Sequence, residues 1–332
     1  MAAKYALGID FGGTKVLAAV VELKSGKVVA SAKKKTSAAD GPDEVMERIY
    51  DVADNALDKA KVKSSHLAGI GVGIAGQVDA ERGILLGTPN LSQAVVDLPI
   101  AKRLRDRYDV PAALRNDVQI AAAGEQQFGA GHGVSDFLCV FVGTGVGGAL
   151  VQDGALQHGA AGSAGEIGHV VVDAGGRLCG CGGHGHLEAY ASRTAITASI
   201  LGDLKRGRPS IVRDLVPDLD PAAPAAGGTA IRSGVLAKGV DAGDAVVTET
   251  MHEAGYYLGL GLASAINLIN PQRIVLGGGV IDAVDPFFQV AAIHARREAL
   301  PTPAASVEIV KAALGDFSGV VGAALIGAGA AE

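Results

Sequence analysis

The chain has 332 residues, 48% of them hydrophobic and 19% charged, and a formal net charge of −6. This composition allows a core of one large or two ordinary domains and disfavours a disordered protein, and the acidic balance argues against a nucleic-acid partner. The three cysteines do not make a disulfide framework, and the apolar runs are too short or too rich in glycine to span a bilayer. We therefore expect a soluble, cytoplasmic protein with no membrane partner. The 48 glycines predict tight turns and close backbone approach.

The first 114 residues alternate between strand and helix patterns, which predicts an α/β architecture. In chain order they predict a strand at Tyr5–Phe11, a turn at Gly12-Gly13-Thr14, a strand at Val16–Leu23, a helix over Asp40–Val62, a strand at Leu67–Ala75, a helix over Leu98–Tyr108 and a strand at Val110–Leu114.

A second hairpin pattern repeats the first about 130 residues later. It consists of a strand at Phe137–Val142, a turn at Gly143-Thr144-Gly145 and a strand at Val146–Val151. The repeat predicts two similar domains that face each other across a cleft, where ligands are expected.

The remaining elements are mostly helical. The pattern predicts helices over Thr194–Lys205 and Asp244–Ile269, a loop at Pro217–Gly228, a strand at Arg273–Leu276 that ends in three glycines, and a C-terminal helix containing Val320, Val321, Ala324 and Leu325. We expect this last helix to pack back on the N-terminal part of the chain.

The first hairpin turn, Asp10-Phe-Gly-Gly-Thr-Lys15, has the composition of an anion-binding turn. Glycines let backbone N–H groups converge on a phosphate, and Asp10 at the strand end could hold Mg²⁺. The alternative is an ordinary hairpin whose aspartate makes a turn hydrogen bond. A Walker A spacing is absent.

The second turn, Gly143–Gly148, is a weak signal alone and a stronger one as the partner of the first. Two such turns facing each other would clamp a nucleoside triphosphate.

Asn116-Asp117 opens the helical run Val118–Phe128. Asp117 could be a general base that takes a proton from a substrate hydroxyl, and alone the dipeptide favours a helix cap instead.

Two of the three cysteines and three histidines lie within a short segment that also holds two glutamates. It reads Glu166-Ile-Gly-His169, then Cys179-Gly-Cys181-Gly-Gly-His184-Gly-His186-Leu-Glu188. Thiolates and imidazoles at these spacings predict zinc, bound by His169, Cys179, Cys181 and either His186 or His184. Four protein ligands make a closed, structural site. The alternative is a surface loop with no metal.

These motifs resemble those of the ROK family of bacterial sugar kinases and repressors over nearly the whole chain. Asp-x-Gly-Gly-Thr-Lys is similar to the family's first phosphate motif, and Gly143–Gly148 to its second. The family signature Cys-x-Cys-Gly-x-x-Gly-Cys-x-Glu-x-x-x-Ser matches residues 179–192 except at its last cysteine, which is His186 here. The resemblance favours His186 over His184 as a zinc ligand.

The resemblance also implies a role for each matching residue. It makes Asp117 the catalytic base and assigns sugar contacts to Asn90, Asn116, Asp117, Glu166, His169 and Glu188. ATP contacts are implied for Asp10, Gly12, Gly13, Thr14, Lys15, Gly143, Thr144 and Gly145, and Gly278 and Gly279 would line the adenosine pocket. Asn90 lies in the segment Thr-Pro-Asn-Leu, and the aromatic residue that often follows this motif in the family is absent from Ser92-Gln93-Ala94, which leaves the identity of the sugar open.

The family's fold and activity follow as expectations. The resemblance implies a two-lobed, actin-like and hexokinase-like ATPase fold of duplicated ribonuclease H-like domains, with residues 1–117 and about 316–332 in a small lobe and 118–315 in a large one. It implies ATP- and Mg²⁺-dependent phosphorylation of a hexose in glycolysis, most readily glucose, with N-acetylmannosamine, N-acetylglucosamine, fructose or allose as alternatives. A homodimer or homotetramer is expected. A ROK repressor or an actin-like ATPase is the less favoured class.

Overall fold

The computed structural model describes residues 3–13, 15–37, 40–88, 95–220 and 231–329. Its strands are β1 (Tyr5–Phe11), β2 (Lys15–Glu22), β3 (Lys27–Lys35), β4 (Leu67–Ile74), β5 (Gln77–Asp79), β6 (Ile84–Gly87), β7 (Ala112–Asn116), β8 (Phe137–Val142), β9 (Val146–Gln152), β10 (Ala155–Leu156), β11 (Arg273–Gly277) and β12 (Glu308–Lys311). Its α-helices are α1 (Pro42–Ala60), α2 (Ile100–Tyr108), α3 (Asp117–Phe128), α4 (Glu188–Ala191), α5 (Arg193–Lys205), α6 (Val212–Leu215), α7 (Ser233–Asp241), α8 (Ala245–Ile269), α9 (Gly279–Ala283), α10 (Asp285–Glu298), α11 (Pro301–Ser306) and α12 (Ser318–Gly327).

Both predicted hairpins and the long helices are present, with end positions that differ by a few residues. Helix α2 begins at Ile100 instead of Leu98 because Leu98 forms a bridge with Leu85. Strand β3 and the helices α7 and α10 were not predicted. Residues 221–230 of the predicted Pro217–Gly228 loop region lie outside the described residues.

Two five-stranded sheets share one strand order. The first has the order β3-β2-β1-β4-β7, and the second has β10-β9-β8-β11-β12. In the first sheet the three leading strands are antiparallel, and β4 and β7 continue the sheet parallel to β1. Each sheet therefore follows the same route through its five strands, as a duplicated domain would.

The chain divides into two compact units. Unit 1 comprises Met1–Cys139, Ala149–Ala164 and Ala312–Glu332, and unit 2 comprises Val140–Gly148 and Gly165–Lys311. The mixture of sheets and helices confirms the predicted α/β class. The lobe boundary proposed after residue 117 stays a prediction.

The sheet of unit 1 has a hydrophobic core on each face. Side chains of α1 and α2, such as Ile49 and Leu104, pack with Leu7 and Ile9 of β1 on one face. On the other face, α12 packs against the buried residues of β1 and β2 that alternate with those of the first core, such as Ala6, Leu17 and Ala19. The alternation of buried residues along β1 thus fills both cores, since neighbouring strand residues point to opposite faces.

Helix α12 lies directly on the sheet because glycines remove the side chains between them. A Cβ on Gly8 would lie 1.8 Å from the carbonyl oxygen of Val320, and one on Gly71 the same distance from that of Ala323. On the other side of α12, a Cβ on Gly322 would lie 1.6 Å from the carbonyl oxygen of Ile120 in α3. The predicted packing of the C-terminal helix on N-terminal strands is therefore correct, and backbone proximity accounts for part of the glycine excess.

Unit 2 is built around the long helix α8, which packs closely on α10. Gly255 and Gly259 of α8 abut Val290 and His294 of α10, where a Cβ would lie 3.0 and 2.5 Å from their side chains. Among the described residues, no helix is long and apolar enough to cross a membrane.

Candidate functional site

The first glycine turn joins β1 to β2 in unit 1. The Gly12 N–H donates to the Lys15 carbonyl at 3.0 Å, and the Thr36 hydroxyl donates to the Gly12 carbonyl at 3.3 Å. The Lys15 ammonium pairs with Asp316 at 2.9 Å. Thr14, a predicted ATP contact, lies outside the described residues.

The half-buried carboxyl group of Asp10 lies at the end of β1, beside the first turn of α12. A Cβ on Gly319 would lie 2.7 Å from its Oδ2, so only glycine leaves room for the carboxyl there. Burial, with the nearby charges of Asp117 and Asp316, raises the pKa of Asp10 to about 7, and Lys15 opposes this rise. The carboxyl groups of Asp10, Asp117 and Asp316 thus outnumber the one cation near them, the Lys15 ammonium. Such an excess of negative charge favours a bound cation.

Asn116 caps helix α3. Its Oδ1 accepts from the Val118 N–H at 2.9 Å and from the Gln119 N–H at 3.4 Å, and its Nδ2 donates to the Gly76 carbonyl at 3.4 Å. The alternative interpretation of this dipeptide, a helix cap, is therefore correct for Asn116, whereas Asp117 is the first helical residue. The Asp117 Oδ1 also accepts from the Val118 N–H, at 3.0 Å.

Asp10 and Asp117 lie at the same edge of the first sheet. Strands β1, β4 and β7 are parallel and adjacent, with Asp10 opposite Gly73 and Ile74 opposite Asn116. Because their carboxyl ends meet at one edge, the two carboxylates come within electrostatic reach of each other, as the pKa of Asp10 records.

The second glycine turn, in unit 2, is held by Glu188 at the start of α4. The Gly143 N–H donates to the Gly145 carbonyl at 2.9 Å, and Glu188 Oε2 accepts from the Val146 N–H at 2.9 Å. A Cβ on Gly145 would lie 2.3 Å from Glu188 Oε2, so a larger residue there would displace the Glu188 carboxylate from its present position. Glu188 therefore has a structural contact with the turn besides any contact with a ligand.

Gly278 and Gly279, the predicted adenosine residues, lie beside the same turn. Gly278 has φ +92° and its Cβ would lie 2.5 Å from the Val142 carbonyl oxygen, while Gly279 begins α9. The left-handed backbone and this close approach both explain the glycine at position 278.

Four predicted metal ligands come together in unit 2. One ligand atom from each of His169, Cys179, Cys181 and His186 lies within 4.8 Å of every other. Cys179 Sγ lies 3.9 Å from His169 Nδ1, and Cys181 Sγ lies 3.2 Å from His186 Nδ1. The alternative ligand His184 instead has its Nδ1 3.2 Å from the Gly176 carbonyl oxygen.

This group fits zinc by its donor atoms and its size. Two thiols and two imidazoles are the donor set of many structural zinc sites. Zn–S and Zn–N bonds place tetrahedral ligand atoms about 3.4–3.8 Å apart, so the observed spacing needs only a small contraction.

The loop that carries the cysteines is fastened to α8. The Tyr190 hydroxyl accepts from the Arg177 N–H and donates to Asp173 Oδ2, both at 2.7 Å, and its ring stacks on Tyr257 with centroids 4.0 Å apart. Arg177 also pairs with Glu253 of α8 at 2.9 Å. These contacts hold the loop in place independently of any metal.

Glu166 precedes His169 by three residues and shares its surroundings with Glu188. The pKa of Glu166 is raised, chiefly because the group is partly desolvated. The charge of Glu188 adds to this rise, and that of His169 opposes it. Asn90, another predicted sugar contact, lies outside the described residues.

Arg193 is a residue that the sequence analysis did not single out. It directly follows Ser192, the last residue of the zinc signature, and its guanidinium Nη2 donates to Thr144 Oγ1 at 3.0 Å. The available signal was a cation in the first turn of a helix, where the helix dipole disfavours positive charge.

Comparison with known proteins defines the class of this fold and site. Residues 6–329 match the ROK family, and the chain belongs to that family. It is 34% identical over 328 residues to a glucokinase of Halalkalibacterium halodurans, which covers 97% of this chain and 94% of that one. It is 28% identical over 320 residues to the DNA-binding transcriptional repressor Mlc of Escherichia coli, covering 96% of this chain and 75% of that protein.

Among solved structures, the chain is similar to a ROK glucokinase of Streptomyces griseus in complex with glucose and AMPPNP. The TM-score is 0.82 at 29% identity, covering 97% of this chain and 99% of the other. The resemblance to the ROK family and the predicted hexokinase-like α/β fold are thereby confirmed.

Proposed function

We propose that this protein is an ATP-dependent hexose kinase that converts glucose to glucose 6-phosphate. The observation that carries this is the match, over nearly the full length, to a glucokinase whose structure contains glucose and an ATP analogue. The sequence motifs for phosphate, base and metal all fall within the matched residues.

Asp117 is the proposed general base. Asn116 supplies the helix cap, and Asp117 is the first residue of α3, where the helix dipole favours an acidic side chain. The carboxylate takes the proton from the attacking sugar hydroxyl. General base catalysis contributes about 10²–10⁴-fold in rate.

The glycine turns are assigned to the phosphates of ATP. The turn residues Gly12, Gly13 and Thr14, with the Lys15 ammonium, contact one part of the phosphate chain, and Gly143, Thr144 and Gly145 contact another. Gly278 and Gly279 contact the adenosine. Asp10 would hold Mg²⁺, which neutralises phosphate charge when bound.

The sugar contacts are assigned to Asn90, Asn116, Asp117, Glu166, His169 and Glu188. Carboxylates and amides bind vicinal hydroxyls in pairs, so a ligand lacking those hydroxyls leaves polar groups unpaired and is rejected. His169, Cys179, Cys181 and His186 would hold a structural zinc that fixes the loop carrying His169 and Glu188. We assign no step of the reaction to the metal.

The first experiment is a sugar panel with ATP, measuring ADP release and the phosphorylated sugar. Glucose should give the highest kcat/KM among glucose, N-acetylmannosamine, N-acetylglucosamine, fructose and allose. Turnover that no sugar stimulates would overturn the kinase proposal. DNA binding is then the second candidate, because the similar Escherichia coli protein is a repressor, and the net charge of −6 argues against it.

The base is tested by Asp117→Asn, with Asp58→Asn on the exposed side of α1 as control. We expect Asp117→Asn to lower kcat by about 10²–10⁴-fold, as for loss of a general base, while glucose affinity changes little. The control should match the wild type. A kcat within about threefold of wild type in Asp117→Asn would remove the carboxylate from the chemistry.

The metal assignment is tested by elemental analysis of His186→Ala and His184→Ala. Wild type and His184→Ala should carry about one zinc per chain, as a closed four-ligand site requires, and His186→Ala should carry much less. Equal zinc content in the two variants would reject His186 as the fourth ligand.

A further inference from the structure

Arg193 occupies an electrostatically unfavourable position. It is the first residue of α5, directly after the N-cap Ser192, whose hydroxyl accepts from the Ala195 N–H at 3.1 Å. The N-terminus of a helix carries positive partial charge, so a cation there is disfavoured by about 0.3–1 kcal/mol. A residue that breaks such a local rule needs a compensating interaction.

The start of α5 is joined to the second glycine turn. The Arg193 backbone N–H donates to the Gly143 carbonyl at 2.9 Å, and the Thr194 hydroxyl donates to the Thr144 carbonyl at 2.8 Å. The guanidinium Nη2 reaches Thr144 Oγ1 at 3.0 Å. The charged group therefore lies on the turn, and Thr144 itself is exposed to solvent.

The guanidinium has little to balance its charge in the described part of the chain. Its Nε is buried with no hydrogen-bond partner there, and burial alone lowers the pKa of Arg193. Some other arginines of the same unit do pair with carboxylates, as Arg273 does with Glu308 and Arg177 with Glu253. A partly desolvated cation that has no carboxylate partner in the described residues is costly, so its position on this turn points to an anionic ligand.

We propose that Arg193 binds the phosphate chain of the phosphoryl donor. This rests on the proposed kinase function, and it adds a residue that the two glycine turns do not include. The planar guanidinium offers N–H donors in a fork that matches two phosphate oxygens, and Thr144 orients it toward the turn where those phosphates are assigned. The phosphates supply the negative charge that the described surroundings lack.

The first test measures MgATP affinity by calorimetry, without sugar, for Arg193→Met, Arg193→Lys and the wild type. Arg296→Met serves as the control, because Arg296 is exposed on α10 of the same unit. We expect Arg193→Met to weaken ATP binding about 10- to 100-fold, and Arg193→Lys to weaken it less, since lysine keeps the charge and loses the fork. Sodium tripolyphosphate replaces ATP in a parallel titration and should show the same order.

The second readout is the melting temperature without ligand. Removal of a half-buried cation that has no carboxylate partner in the described residues should leave the Tm of Arg193→Met equal to or above that of the wild type, while the rise in Tm on adding MgATP shrinks. A purely structural arginine would give the opposite pattern, with a lower ligand-free Tm and an unchanged ATP affinity. That pattern would overturn the proposal.

The kinase proposal and the Arg193 proposal can be rejected independently of each other. If the wild type phosphorylates glucose and Arg193→Met retains wild-type ATP affinity and kcat/KM for ATP, the role of Arg193 is rejected and the kinase assignment stands. If no sugar supports turnover but ATP binding depends on Arg193, the phosphate contact stands and the kinase assignment falls.

Discussion

Glu125 is the residue whose replacement should most clearly test the packing of unit 1. It lies on α3 with no exposed surface, and its carboxylate accepts four hydrogen bonds. Oε1 accepts from the Leu314 N–H at 2.9 Å and the Ser318 hydroxyl at 2.7 Å, and Oε2 accepts from the N–H groups of Ala130 at 2.7 Å and Ala313 at 2.9 Å. One carboxylate thus joins α3 to the segment that leads into α12.

The perturbation is Glu125→Gln, which keeps the shape and replaces one oxygen with an NH₂ group. In the better orientation the NH₂ replaces Oε1, where the Ser318 hydroxyl can turn to accept but the Leu314 N–H is left unpaired. An unpaired buried donor costs about 1–3 kcal/mol, and two remaining bonds lose the strength that ionisation gave them, about 1 kcal/mol each. We expect a loss of about 3–5 kcal/mol.

The assay is urea unfolding followed by far-ultraviolet circular dichroism, with Glu47→Gln on the exposed side of α1 as control. The control should change the free energy of unfolding by less than about 0.5 kcal/mol. A loss below about 1 kcal/mol in Glu125→Gln would show that the carboxylate is not desolvated and that the reasoning is wrong.

Three further predictions concern charge, packing and metal. Asp10→Asn should be more stable than the wild type at about pH 8 by about 4 kcal/mol, and the gain should largely vanish near pH 4. The reason is that a folded-state pKa of about 7, above the unfolded value of 3.8, makes the wild type lose stability as pH rises between the two; urea unfolding without divalent cations measures it. Gly8→Ala should lower soluble yield and Tm strongly, because its Cβ would meet the Val320 carbonyl oxygen, whereas Gly87→Ala, with nothing within 4 Å, should not. His186→Cys, which restores the ROK signature, should retain zinc during dialysis against EDTA longer than the wild type, as metal analysis over time would show.

Local sequence patterns were enough to predict several elements and groups of residues. Apolar alternation around Gly12-Gly13 and Gly143–Gly145 predicted both hairpins, since each is formed by neighbouring residues. The spacing of His169, Cys179 and Cys181 predicted a metal-binding group for the same reason. Strand β3 escaped prediction because its polar, lysine-rich sequence is typical of an exposed edge strand, whose apolar pattern is weak.

The sequence by itself determined the α/β class, the two glycine turns and the residue types available for metal and phosphate, because these depend on short-range patterns. Only the tertiary structure decided that Asn116 rather than Asp117 caps α3 and that Arg193 meets a turn about 50 residues earlier, and it brought His186, which the family resemblance favoured, together with the other three metal-binding candidates. It also decided the role of Glu125, whose partners lie up to 193 residues away. Such contacts depend on how distant segments pack, and one-dimensional spacing carries no information about them.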